Sequence, residues 1–262
     1  MKKDEGAFLS ISAVLKASGL SKYFVNGSLW GAQKIAAVDN LDLCLARGEI
    51  FGILGPNGAG KTTTLNMLVG IMKPSSGSID IFGEPFFPGK ISQLAKIGYV
   101  PEAASLPGYF TILELLDFYG QLFSMPASLR VERIKRLLEM AGMVKERNCL
   151  IKNLSMGQRR LVDIMQALIN DPDLIFLDEP TVYLDPVIIE RLRFILLRLK
   201  SEGKTIVVSS HMLSEIEKIS DRVAIINQGK LIKVGPKEDF LRSGTMEEEF
   251  LRIVKHVDTK ID

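Results

Sequence analysis

The sequence predicts an α/β protein built on a mostly parallel sheet, with a lobe of helices inserted into it. Three observations carry this expectation. Apolar strand-like runs and helical segments alternate over residues 49–101 and again over 157–235, the pattern of a doubly wound sheet. Between these blocks, over about 102–156, the strand pattern gives way to helices. Near the start of the first block, a glycine-rich loop joins an apolar run to a helix.

Taken in chain order, residues 13–50 read as short strands with a turn-rich insertion around Asn26 to Gly31. Glu49-Ile50-Phe51-Gly52-Ile53-Leu54 suits a buried parallel strand, and a helix is expected over Thr62 to Val69. The loop between them, Gly55-Pro56-Asn57-Gly58-Ala59-Gly60-Lys61-Thr62, satisfies every position of GxxxxGKT, a phosphate loop. Gly55, Gly58 and Gly60 let the backbone bend and turn its N–H groups toward a phosphate at a helix N-terminus. Lys61 is then placed to reach the β- and γ-phosphates, and the Thr62 hydroxyl to bind Mg²⁺. With Thr63, these residues are the candidate ATP-binding set of a phosphate-loop NTPase core. No NKxD motif for reading guanine occurs, which fits an adenine nucleotide.

In the helical block, Leu129, Val131, Ile134, Leu137, Leu138 and Ala141 recur at helical spacing, with Arg130, Arg133, Lys135 and Arg136 mainly on the other side. That basic side is read as a solvated face. Leu154-Ser155-Met156-Gly157-Gln158 closes the block. Asp173-Leu174-Ile175-Phe176-Leu177 is a second strand apolar enough for burial on both faces, and it ends in Asp178-Glu179-Pro180. Carboxylates at the carboxyl end of such a strand fall where open α/β sheets place their chemistry. Asp178 is the candidate Mg²⁺ ligand, and Glu179 is the candidate base for an attacking water. A third strand, Thr205-Ile206-Val207-Val208, leads to Ser209-Ser210-His211. The tail from Met246 to Val257 spaces Phe250, Ile253, Val254 and Val257 as a helix that docks on the body.

Composition bounds the rest. With 262 residues, 47% hydrophobic and 24% charged, the chain can bury one large domain or two lobes. A net charge of +2 gives no basis for a nucleic-acid partner. Cys44 and Cys149 lack metal or redox spacing and read as reduced packing residues. No apolar run approaches the roughly 18–20 residues of a membrane helix, so membrane work requires a partner. Asp4, Glu5 and Lys16 bracket the apolar stretch 7–15 and no A-x-A site follows, so no signal peptide is expected.

The phosphate loop, the LSMGQ pentapeptide and the LDEP strand end, in this order and spacing, resemble the ATP-binding subunit of an ABC transporter. The resemblance runs from about Val14 to Gly235. It implies an antiparallel β layer ahead of the phosphate loop, an ABC ATPase domain over 13–242, an N-terminal extension over 1–12 and a helical tail over 243–262. It also implies that His211 contacts the γ-phosphate, that Asp185 belongs to a loop at the dimer face, and that Ser155, Gly157 and Gln158 contact ATP bound to a partner. Asp185 equally reads as the cap of a helix starting near Pro186. Tyr23 and Phe24 alternate faces of a strand, so only one can stack on adenine, and the family's spacing from Leu20 selects Phe24.

Three departures stand out. Glu102 occupies the usual glutamine position after Gly98-Tyr99-Val100-Pro101, as in exporter ATPases that pair with ABC-2-type membrane subunits, and is the third candidate metal residue. Met156 replaces the first glycine of LSGGQ, and Val182-Tyr183 replaces Ser-Gly before Leu184-Asp185. The resemblance implies ATP and Mg²⁺ as cofactors, a second ATPase subunit with a homodimer as the expected pair, an integral membrane permease, and a place on the cytoplasmic side of the membrane. Two other readings remain: a non-transport ABC ATPase, against which the short span from Lys61 to Ser155 leaves no room for coiled-coil arms, and a degenerate subunit that binds nucleotide without turnover.

Overall fold

The structure is a computed structural model, and it describes residues 13–26, 33–103, 105–242 and 244–258, with side chains omitted at Asn26, Gln33 and beyond Ile253. The expected N-terminal extension and most of the insertion around Asn26 to Gly31 lie outside the described residues. Chain order begins with two long strands, β1 (Ala13–Asn26) and β2 (Gln33–Ala46), then β3 (Ile50–Leu54), α1 (Lys61–Leu68), β4 (Ser76–Ile81), β5 (Glu84–Pro85), α2 (Ile91–Leu94) and β6 (Ile97–Val100). Three helices follow, α3 (Ile112–Leu122), α4 (Ala127–Ala141) and α5 (Met156–Leu168). The remainder alternates as β7 (Leu174–Asp178), α6 (Pro186–Ser201), β8 (Thr205–Ser210), α7 (Leu213–Ile219), β9 (Arg222–Asn227), β10 (Lys230–Pro236), α8 (Glu238–Leu241) and α9 (Met246–Asp258).

Two sheets result. One is antiparallel with order β2-β1-β4-β5, and the other has order β10-β9-β3-β8-β7-β6, parallel except for β10 on β9. The short strands expected over 13–50 are in fact two strands of 14 residues each. Ser18-Gly19 looks like a break in sequence, but Gly19 takes a positive φ of 59° and the pairing shifts register there, so the strand bends and continues.

Alternation along the parallel strands divides the core in two. Phe51, Ile53, Phe176, Val207, Ala224 and Ile226 face the antiparallel sheet and α1. Ile50, Leu54, Ile175, Leu177, Ile206, Val208, Val223 and Ile225 face the helical side. Both faces are covered, which is why these strands read as continuous apolar runs; each large side chain buried this way contributes about 1.5–3 kcal/mol. β8 is buried at all six positions, because it lies between β3 and β7 in a sheet covered on both faces.

On the helical side, α3 starts with a capping box between Thr111 and Glu114, and α5 packs against α3, α4, α6 and β6. The apolar stripe expected on α4 is buried at Ile134, Leu137, Leu138 and Ala141 but open at Leu129 and Val131. Arg133 is buried in their place, donating to Leu168 O and pairing with Asp171. In α9, Phe250 and Ile253 pack on the core; Val254 and Val257 have no described side chains.

Candidate nucleotide-binding site

The phosphate loop leaves the carboxyl end of β3 and enters α1, as strand, loop and helix. A Cβ at Gly60 would lie 2.4 Å from Ala37 O, and its φ is 102°, so the loop's close approach to β2 requires glycine there. The N-terminus of α1 has no side-chain cap and no acidic residue in its first turn, which leaves its N–H groups and partial positive charge open to an anion. Lys61 Nζ donates to Gly55 O at 2.8 Å and to Pro56 O at 3.3 Å, and lies 3.1 Å from Glu179 Oε1.

Asp178 ends β7 and is fully buried. Its Oδ1 accepts from the Ser209 hydroxyl, while Oδ2 has no hydrogen-bond partner among the described residues. Glu179 follows with a left-handed backbone, φ 44°, and its N–H donates to Ser209 Oγ at 3.0 Å. That conformation is costly for a residue with a Cβ, and here it turns the carboxylate away from its neighbour toward Lys61. Glu179 Oε2 accepts from His211 N and lies 2.9 Å from His211 Nδ1. A cleft of about 420 Å³ is lined by Asn57 to Thr63, Ala37, Glu102, Glu179, Val182, Tyr183 and His211. The phosphate loop, Glu102, Glu179 and His211 are therefore brought together, with Asp178 directly behind Glu179.

Behind the cleft, the Tyr99 hydroxyl donates to Asn66 Oδ1 at 3.0 Å, tying β6 to α1. Burial, with the Asp178 charge second, pushes the Tyr99 phenol up to about 12, so it stays a donor.

Residues 38–182, more than half the chain, match the family described as ABC transporter. The chain belongs to the ABC transporter family. It is 43% identical to an ABC transporter ATP-binding protein of Nostoc sp. over 88% of this chain and 69% of that protein. It is 40% identical to a Nod factor export ATP-binding protein I of Cupriavidus metallidurans, over 79% of this chain and 68% of that one. Its fold matches the dimeric post-hydrolysis state of an ATP-binding cassette bound to ADP and Pi, with a TM-score of 0.76 and 28% identity, over 85% of this chain and 98% of that chain. The chain is thus an ATP-binding, ATP-hydrolysing subunit of an ABC transporter.

The remaining candidate residues lie off this cleft. Ser155 caps α5 in a reciprocal box with Gln158, Ser155 Oγ accepting from Gln158 N and Gln158 Oε1 from Ser155 N. Gly157 faces α6, where a Cβ would come within 2.7 Å of Ile188 Cγ1. Asp185 caps α6 through Val187 N and Ile188 N. Phe24 is exposed on β1 beside Lys22 and lines no part of the cleft.

Two residues at the site were not singled out from sequence. Ser209 holds both Asp178 and the Glu179 N–H, and its only signal was its place two residues before His211. Arg160 is buried against the carbonyls behind Glu179, and its signal was a second arginine directly after the pentapeptide.

Proposed function

We propose that this chain drives export through a separate membrane permease, with two copies closing around two ATP molecules and Glu179 serving as the base in hydrolysis. One observation carries the assignment of chemistry: the candidate base, the phosphate-loop lysine and His211 form a single contact network at the mouth of the loop. Export is supported by the Nod factor relative and by Glu102 at the usual glutamine position. No described helix is long and apolar enough to cross a membrane, which is consistent with a subunit held at the cytoplasmic face by its permease.

ATP enters with its phosphates toward the N-terminus of α1, where loop N–H groups and Lys61 bind them and Phe24 stacks on adenine from the β1 side. Glu179 accepts the proton of the attacking water, and His211 holds the other carboxylate oxygen, so the base is oriented from both sides. Ser155, Gly157 and Gln158 of the second copy close over the γ-phosphate, with Asp185 at the same face. ATP then acts as the link between copies, and hydrolysis releases it.

The residues present fit Mg²⁺. The orphaned Asp178 Oδ2 belongs to an oxygen-only set with Thr62 and Glu102. Mg²⁺ draws on few protein oxygens and otherwise on phosphates and water. Bound there, Mg²⁺ supplies charge neutralisation at the phosphates. The deciding experiment is ATP turnover of the purified chain with and without Mg²⁺, beside Glu179→Gln. Zero turnover by the wild-type chain alone and with its permease would favour the degenerate reading.

A further inference from the structure

Arg160 stands on α5, five residues beyond Ser155, and is 7% exposed. Its guanidinium donates to carbonyls at two strand ends at once. Nη1 bonds Pro101 O at 2.6 Å and Glu102 O at 3.4 Å, Nη2 bonds Asp178 O at 2.8 Å and Glu179 O at 3.3 Å, and Nε bonds Pro180 O at 3.3 Å. Burial pulls its pKa down, and the charges of Asp163, Asp178 and Glu102 offset this without direct contact. Only a planar fork of donors can serve so many oxygens; a lysine ammonium offers three donors on one atom.

We propose that Arg160 is a positioning residue that couples the two composite ATP sites of the dimer. The inference rests on the sandwich arrangement proposed above. The first turn of α5 carries Ser155 to Gln158, which meet the partner's ATP, and the next turn carries Arg160 on the same continuous helix. Glu179 is clamped on both sides of its backbone, its N–H on Ser209 and its carbonyl on Arg160, in a left-handed conformation that has little freedom to adjust. A tilt of α5 as it closes on the partner's nucleotide therefore reaches the base that acts on this chain's own nucleotide. The same guanidinium reaches Glu102, so one helix movement addresses the ends of both β6 and β7.

The test measures turnover against ATP concentration for the full chain, Arg160→Gln and Arg160→Lys, with ATP affinity of each chain by calorimetry. The wild-type Hill coefficient is expected to approach about two, the number of sites. In both variants it should fall to about one, with kcat lower by about tenfold to a hundredfold and ATP affinity of the single chain unchanged. A purely structural arginine would lower melting temperature and kcat and leave the Hill coefficient alone. If Arg160→Gln does not fold, Arg160→Lys, which keeps the buried cation, decides. A cooperative wild type beside an equally cooperative Arg160→Lys overturns the coupling and spares the dimer reading. A wild type without cooperativity or ATP-dependent dimerisation overturns both.

Discussion

The Lys61 ammonium stands 3.1 Å from Glu179 Oε1, both side chains almost wholly buried, while the other oxygen of Glu179 is 2.9 Å from His211 Nδ1. The candidate phosphate-binding cation and the candidate base thus share one network. Removing one member of a buried ion pair leaves the other uncompensated, at a cost of about 3–5 kcal/mol. Here the cost is moderated, because Lys61 also holds two carbonyls and Glu179 also holds His211. Substitutions at this pair should therefore alter function more than folding.

Lys61→Ala should abolish measurable ATP binding while the domain stays folded. Glu179 retains His211, and the loop retains its glycine-dependent path. Calorimetric titration and a melting curve on the same sample check both halves; wild-type affinity would remove Lys61 from the phosphate site.

Glu179→Gln should bind ATP, turn it over about 10²–10⁴-fold more slowly, and accumulate as an ATP-dependent dimer. The amide keeps the shape and can still meet His211, but it cannot take a proton. Sedimentation with ATP reads the dimer. Normal turnover would exclude Glu179 as the base.

Asp163 sets a pH dependence of stability. It lies on α5, its Oδ1 is buried without a partner among the described residues, and burial raises its carboxyl to about 6, with the Arg160 charge opposing. Because the folded pKa lies above the unfolded value near 3.8, the folded chain binds more protons in that window. Stability should fall as pH rises from about 4 through 6, and the penalty is complete at pH 7. Asp163→Asn should stabilise the chain at pH 7 by roughly 1–3 kcal/mol and flatten that slope. Denaturant melts at pH 5 and pH 7.5 would show an unchanged slope if Asp163 is not the titrating group.

Much of this was legible in the residues because its signals are local. The phosphate loop is set by contiguous glycines and a lysine, and β3 and β7 by runs of apolar residues. The capping role of Asp185 follows from its place before a helix, whereas that of Ser155 emerged only with the start of α5. The length of β1 was not legible, since a bulge at Gly19 looks like a turn in one dimension. Arg160 and Ser209 were not legible either, because they bind backbone carbonyls and an N–H brought in by other strands, and no side-chain pattern records such partners. On α4, burial of Arg133 depends on Leu168 O and Asp171 arriving from α5 and beyond, which helical periodicity alone does not anticipate.

The last expectation concerns the permease. The segment from Glu102 to Phe123 begins at a candidate metal residue and carries a row of apolar side chains, of which Ile112 and Leu115 are fully buried and Leu106 and Phe110 pack on the core. Tyr109 is different: 84% exposed, its ring 5.2 Å from the Lys152 ammonium, with Phe118 also open to solvent. An amphipathic cytoplasmic helix of the membrane subunit would find an apolar surface here, one short stretch of chain from the nucleotide cleft. Tyr109→Asp should fold normally, because surface substitutions usually stay within about 0.5 kcal/mol, and it should hydrolyse ATP at the basal rate. It should nevertheless fail to co-purify with the permease in gentle detergent. Co-purification with full transport would defeat this docking surface.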